Sequence, residues 1–310
     1  MGRVACLGEC MIELVERPGG TLTRGFGGDT LNTALYLARL GVPTDYVTAL
    51  GDDPFSGALL DAWQAEGIGT ASVIRLPGRL PGLYLIQTDP GGERRFHYWR
   101  DSAPVRQLFA LPETPAIQAA LIASDLVYLS GVTLSLFGDA GRERLFETLA
   151  QARRAGSLVA FDTNFRPRGW PDRPAARAVY DRMFRCADIV LASVEDDELL
   201  HGRHDPAALA DRLQSAAVPE IIIKLAEPAC RVIVGVIDTL VPGMAAETIV
   251  DTTAAGDSFS AGYLAARRAG APPEAAARAG HRLASVVVRH RGAIIPSSAM
   301  PSPASILEAS

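Results

Sequence analysis

Asp251-Thr252-Thr253-Ala254-Ala255-Gly256-Asp257-Ser258-Phe259-Ser260 is the stretch from which the fold is read. Its small residues run into a helix expected over residues 258–269. Small side chains let backbone N–H groups approach an anion closely, and the positive end of the helix dipole points at the same spot. Asp257 stands at that opening, where a carboxylate can take a proton from a hydroxyl. An anion cradle beside a base is what phosphoryl transfer needs, since catalysis there is mostly positioning and electrostatics. The same residues also suit an aspartate cap on an ordinary helix, so the rest of the chain has to choose.

Around this stretch the chain alternates strands and helices. Strands are expected at 4–8, 44–50, 126–129, 158–161, 189–191, 221–224 and 231–237. Helices are expected at 31–40, 55–64, 141–154, 173–185, 207–215 and 273–289. Such alternation implies a mainly parallel sheet covered on both faces, with ligands at the carboxyl ends of its strands. Residues 72–101 break the rhythm. Short strands at 72–76, 82–88 and 94–98 are separated by Pro-Gly turns, with a hairpin signal at Asp89-Pro90-Gly91-Gly92. This segment reads as an all-β insertion. The Ser/Pro-rich tail after Pro296 reads as peripheral.

Composition narrows the function classes. The chain has 310 residues, 48% apolar and 21% charged, enough for a well-buried core and unlike a disordered chain. A net charge of −5 argues against nonspecific nucleic-acid binding. The four cysteines, Cys6, Cys10, Cys186 and Cys230, form no CxxC pair and no zinc spacing, and read as free thiols in a reducing compartment. His201 and His204 read as loop residues. The start reads as a first strand rather than a secretion signal, and no apolar run is long enough to span a membrane. A cytoplasmic protein is the expectation.

The strand ends carry the candidate chemistry. Glu9 follows the first strand. Gly27-Gly28-Asp29-Thr30-Leu31-Asn32 opens the first helix, where glycines permit close ligand approach and Asp29 and Asn32 can bond hydroxyls, or simply cap the turn. Tyr84, Tyr98 and Arg100 fall on one face of the insertion by alternation. Two phenols and a guanidinium suit a polar ligand with a carboxylate; an edge strand with packed aromatics is the alternative. Asp162-x-Asn164-x-Arg166 places three polar residues past a buried strand, as ligand contacts or as a structural ion pair. Lys224 can approach a phosphate or extend out of the sheet edge. Ser193 and Asp196 can touch phosphate or hydrated Mg²⁺, or cap a helix. The GxxxxGK[ST] phosphate loop and the GxGxxG dinucleotide turn are both missing.

Taken together, the sequence resembles the ribokinase-like (PfkB) carbohydrate kinases over nearly the whole chain. Three elements carry the resemblance in order: residues 27–34 running into Leu37-Ala38-Arg39-Leu40-Gly41, then Gly51-Asp52-Asp53 with Gly57, then residues 251–257. Within the family it is most similar to the 2-keto-3-deoxygluconate kinase branch. Gly8-Glu9-Cys10-Met11, Tyr84, residues 98–103, Asp162-x-Asn164-x-Arg166 and His290-Arg291-Gly292-Ala293-Ile294-Ile295-Pro296 carry that likeness.

The resemblance implies one domain over residues 1–310, a three-layer α/β/α sandwich with a mainly parallel sheet. It also implies a small β-sheet lid from segments of about 9–26 and 72–101, and the exposed edge of that lid is expected to pair with another subunit as a homo-oligomer. It implies ATP-dependent phosphorylation of the 6-hydroxyl of a keto-deoxy sugar acid, with Asp257 as base and Ala254, Ala255 and Gly256 as the anion hole. Glu9, Gly28, Asp29, Asn32, Tyr84, Tyr98, Arg100, Asp162, Asn164 and Arg166 would surround the acid. Ser193, Lys224, Ala226, Ala229 and His281 would border ATP, with Asp196 a possible Mg²⁺ contact and a monovalent cation near Asp251 and Thr253. The sequence departs from the pattern at Ala254, where relatives have glycine, and at Ala226-Glu227-Pro228-Ala229, where they have Gly-x-x-Gly. It departs also at Ser193 and Asp196, where many relatives have Asn and Glu. Other sugar kinases of the family, such as fructokinase or ribokinase, and a noncatalytic sugar-acid sensor are the rival readings.

Overall fold

The computed structural model describes residues 2–17, 19–88 and 94–308. The strands are β1 (Val4–Leu7), β2 (Met11–Glu16), β3 (Leu22–Gly27), β4 (Thr44–Gly51), β5 (Val73–Leu76), β6 (Gly82–Thr88), β7 (Arg94–Trp99), β8 (Leu126–Ser130), β9 (Leu158–Asp162), β10 (Ile189–Ser193), β11 (Glu220–Lys224), β12 (Ala229–Val234) and β13 (Ile237–Pro242). The helices are α1 (Asp29–Arg39), α2 (Pro54–Ala65), α3 (Thr114–Ile122), α4 (Gly131–Leu136), α5 (Asp139–Arg154), α6 (Arg173–Cys186), α7 (Val194–His201), α8 (Pro206–Ser215), α9 (Ala255–Arg268), α10 (Pro273–Val287) and α11 (Pro303–Leu307).

Nine strands form one sheet in the order β13-β12-β11-β10-β9-β8-β1-β4-β5. Its pairs are parallel from β5 to β11 and antiparallel at the β11-β12-β13 edge. Alternation along each strand feeds two cores. In β1, Ala5 and Leu7 point to the layer of α3 to α8, while Val4 and Cys6 point to the layer of α1, α2, α9, α10 and α11. The period-2 pattern of buried strands therefore yields the expected three-layer α/β/α sandwich.

A second sheet has four strands in the order β3-β2-β6-β7. It is antiparallel except where β2 pairs with β6 in parallel. Met11, Tyr84 and Ile86 make its own small cluster. The expected hairpin at 89–92 lies outside the described residues.

Several boundaries differ from expectation. Residues 73–76 belong to the large sheet, paired in parallel with β4, rather than to the β insertion or the lid segment 72–101. A short edge strand beside another short strand carries no pattern that reveals its partner. Residues 231–237 hold the end of β12 and the turn into β13. Gly235 takes φ 58, which permits a two-residue turn between the paired Val234 and Ile237. His201 is the last residue of α7, not a loop residue. The tail is docked rather than peripheral: Ile306 of α11 is buried, and Arg282 Nε donates to its carbonyl at 2.9 Å. Among the described residues, no helix is long and apolar enough to cross a membrane.

Candidate active site

Helix α9 starts at Ala255, three residues before the expected start, so Asp257 lies within its first turn. Ala254 caps it with left-handed backbone, φ 59 and ψ 17, and no side chain takes the cap bond. The first-turn N–H groups of a helix have no partner within it, so they remain available to an anion. Asp251 fixes the approach. One carboxylate oxygen accepts from Thr253 N (3.0 Å) and Thr253 Oγ1 (2.7 Å), and the other from Gly292 N (2.8 Å).

Asp257 is held by α1. Asn32 Nδ2 donates to its Oδ2 at 2.8 Å, and Thr33 Oγ1 donates to its main-chain oxygen at 3.2 Å. Burial pushes the Asp257 carboxyl up to about 8, helped by the charges of Asp29 and Asp162 and opposed by Asn32 and Lys224. Only a close approach lets α1 begin here. A Cβ on Gly28 would stand 2.0 Å from the main-chain oxygen of Glu9, so glycine is required for packing rather than for torsional freedom.

The end of β9 supplies a second group. Asp162 accepts from Lys224 Nζ at 2.9 and 3.1 Å and from Ser260 Oγ at 2.7 Å. A Cβ on Gly256 would lie 3.5 Å from that same Nζ. Burial works against the Lys224 charge, but Asp162, Asp196 and Asp257 outweigh it and hold the ammonium above its ordinary value. Asn164, at φ 24, donates to Asp29 Oδ2 at 2.6 Å. Asp196 accepts from Thr163 Oγ1 at 2.9 Å and from Arg166 Nη1 at 3.2 Å.

The small sheet brings the aromatic face. Tyr84 and Tyr98 are directly paired across β6 and β7, with ring centroids 6.0 Å apart. Tyr84 donates to Glu13 Oε2 at 2.6 Å. Arg100 lies just past β7 rather than on it, with its guanidinium carbon 6.0 Å from the Tyr98 ring centroid. Its Nη2 contacts buried Glu9 as an ion pair.

The structure thus joins Asp257, Asn32, Asp29, Asn164, Asp162, Lys224 and Gly256 through bonds and mutual fields. Glu9, Gly28 and Arg100 meet beside them. Arg166 is drawn to Asp196. The sequence reading missed the pairing partners Glu13, Thr33, Thr163 and Ser260. Thr33 lies four residues after Asp29 and Ser260 three after Asp257, on helix faces already singled out, a signal available from spacing.

The expected nucleotide residues are more dispersed. Ser193 Oγ caps α7, accepting from Asp196 N at 3.2 Å and donating to Glu195 at 2.6 Å. Ala226 and Ala229 form the tight β11–β12 turn, where Leu225 N donates to Ala229 O at 3.1 Å. His281 of α10 packs edge-on against Phe259 at 4.9 Å; burial pulls its imidazole down to about 4, against a hydrogen bond to the Val241 backbone. It is therefore neutral at pH 7. Among the described residues, no group of three or more His, Cys, Asp or Glu could hold a metal ion.

Residues 1–300 match the pfkB family of carbohydrate kinases. The 2-dehydro-3-deoxygluconokinase of Escherichia coli K12 is 43% identical over 97% of this chain and 99% of its own. That of Dickeya dadantii is 44% identical over 96% and 98%. A fructokinase of Vibrio alginolyticus is 28% identical over 86% and 84%. A solved 2-dehydro-3-deoxygluconokinase from Thermotoga maritima has a TM-score of 0.84 at 21% identity, covering 99% of this chain and 98% of that one, and shares its fold.

Proposed function

The chain belongs to the pfkB family of carbohydrate kinases, and we propose that it phosphorylates the 6-hydroxyl of 2-keto-3-deoxy-D-gluconate (2-dehydro-3-deoxygluconate) with ATP. The product is 2-keto-3-deoxy-6-phosphogluconate. The observation that carries the reaction is the partly buried Asp257 in the first turn of α9, held by Asn32 with Lys224 nearby. The near-full-length likeness to 2-dehydro-3-deoxygluconokinases supports the substrate.

In this reading Asp257 takes the proton of the 6-hydroxyl as that oxygen attacks the γ-phosphorus and ADP leaves. The backbone of Ala254, Ala255 and Gly256 receives the transferring group's negative charge, and Lys224 adds a fixed cation. Gly28, Asp29, Asn32, Tyr84, Tyr98, Asp162 and Asn164 surround the acid, with Arg100 and Arg166 near its carboxylate. The small sheet acts as a lid, which excludes water and so limits wasted ATP. Ser193, Ala226, Ala229 and His281 border the nucleotide. Mg²⁺ supplies charge neutralisation on the phosphates. With both oxygens of Asp196 engaged, an ion held largely by phosphate and water suits the residues present. A monovalent cation would sit near Asp251 and Thr253. A cytoplasmic setting suits the four free cysteines. Two or more copies would associate through the small sheet.

An ADP-release assay with ATP, Mg²⁺ and ketodeoxygluconate, ketodeoxygalactonate, fructose or ribose tests this. The expected result is selective turnover of ketodeoxygluconate, lowered roughly 10²–10⁴-fold or more in Asp257→Ala. Turnover of fructose or ribose instead would overturn the substrate. Near-normal turnover by Asp257→Ala would overturn the mechanism.

A further inference from the structure

Four chain crossings join the two sheets, and two charged residues meet among them. β1 leads to β2 through residues 8–10, β3 to α1 through Gly28, β5 to β6 through residues 77–81, and β7 back to the large body through residues 100–103. Glu9 lies on the first crossing and Arg100 on the last, in ion-pair contact. Gly28 of the second crossing and Gly82, which opens β6 after the third, lie against the pair. A Cβ on Gly28 would stand 2.0 Å from Glu9 O, and one on Gly82 would stand 2.8 Å from Glu9 Oε1 and 3.3 Å from Arg100 Cβ. The Glu9 side chain is 3% exposed and that of Arg100 22%. Among the described residues, no group besides Arg100 bonds the Glu9 carboxylate oxygens. The contact is a charge pairing without the network that fixes most buried carboxylates.

We propose that Glu9 is a specificity-determining residue: in the free protein it stands in for a substrate carboxylate on Arg100, and it yields Arg100 and takes a proton when an acid substrate binds. This rests on the reading of the substrate as a sugar acid. A sugar hydroxyl is a poor competitor, because a guanidinium bonds a carboxylate about twice as strongly as a neutral acceptor. A second carboxylate can displace Glu9. Once displaced, Glu9 would be a buried anion without its partner, so it binds a proton from solvent; an O–H bond forms on Glu9 and no substrate bond breaks. The groups facing it are Arg100, Arg106 from the turn at Pro104–Ala110, and Asp29 from α1; the start of β6 offers uncharged Gly82. Burial pushes the Glu9 carboxyl up to about 7, against the pull of Arg100 and Arg106 and with a smaller push from Asp29. Loss of Arg100 to the substrate removes the larger downward pull.

Calorimetric titration of ketodeoxygluconate without ATP, in buffers of different ionisation enthalpy at pH 8, reads the proton directly. The expected result is uptake of up to about one proton in wild type. Uptake should persist in Asp257→Asn and in Asp196→Asn, the carboxylates at the base and beside Arg166, and vanish in Glu9→Gln. Wild-type affinity should be flat below pH 7 and fall toward about tenfold per pH unit above it; Glu9→Gln should lose that slope. If Glu9→Gln does not fold, retained uptake in both other variants supports the assignment. Binding without uptake, or uptake lost with Asp257 or Asp196 and kept in Glu9→Gln, overturns the role of Glu9 alone. No binding of the acid by wild type overturns the substrate reading, and this proposal with it.

Discussion

Asp257 shows how a single residue sets both rate and stability. Burial and neighbouring carboxylates raise it from 3.8 to about 8, so at neutral pH the unliganded carboxyl is mostly protonated and a poor base. In the Glu9→Gln background, which lacks the affinity loss above pH 7, kcat/KM should therefore rise with pH and level off above about 8. Lys224 opposes the upward shift, so Lys224→Met should move that rise to higher pH; a profile unmoved in Lys224→Met would remove the coupling. The same shift governs stability. A folded-state value above the unfolded one stabilises fully below pH 3.8 and is lost as pH climbs to about 8. An asparagine side chain in its place cannot ionise. The thermal midpoint of Asp257→Asn relative to wild type should rise between pH 5 and pH 8 by several degrees, then stop rising. Melts at pH 5, 7 and 9 check this, and a constant difference would contradict it. Asp257 and Asn32 were legible in the sequence because each stands at a helix opening. Their neighbours were less so. Lys224 bonds Asp162, 62 positions away, and Arg100 meets Glu9 rather than open solvent. Residue type announces a charge, whereas its partner depends on which strand ends the sheet order brings side by side.

At the scale of elements, the start of α9 carries a strain that the sequence already hinted at. Ala254 sits at φ 59, where a Cβ crowds the following carbonyl at roughly 1–2 kcal/mol. Glycine escapes that crowding but loses about 0.5–1 kcal/mol more chain entropy on folding. Ala254→Gly should then stabilise the protein by about 0.5–1 kcal/mol, read as a higher urea midpoint at unchanged slope. An unchanged or lower midpoint would show that the loop from Asp251 relaxes the strain elsewhere. Elements with long patterns were readable. α1 and α2 fall within a few residues of expectation, as does β8. The misread ones are short and at edges. β5 has four residues and joins the large sheet, and β12 and β13 turn on Gly235 within what read as one strand. Alternation tells a strand which face is buried, but at a sheet edge it does not say which neighbour it pairs with.

Across the whole molecule, the two sheets differ in how their faces are covered. The large sheet is buried by helices on both sides, whereas one face of the small sheet keeps aromatics in solvent. Phe96 and Tyr98 stack with centroids 6.3 Å apart and remain 36% and 44% exposed. Alternation puts Trp99, 60% exposed, on the opposite face. Paired exposed aromatics beside a cluster of Met11, Tyr84 and Ile86 resemble an interface core more than scattered surface residues. Association through this face would also cover the aromatic side of the proposed lid, which links assembly to lid mobility. Light scattering at tens of micromolar should give wild type a mass at least twice the 32.9 kDa of one chain. Phe96→Lys buries a charge at that face and should move the mass toward the monomer. Trp99→Lys, on the other face, should leave it unchanged. A monomeric wild type would end the proposal, and a loss of assembly in Trp99→Lys with Phe96→Lys intact would transfer it to the opposite face.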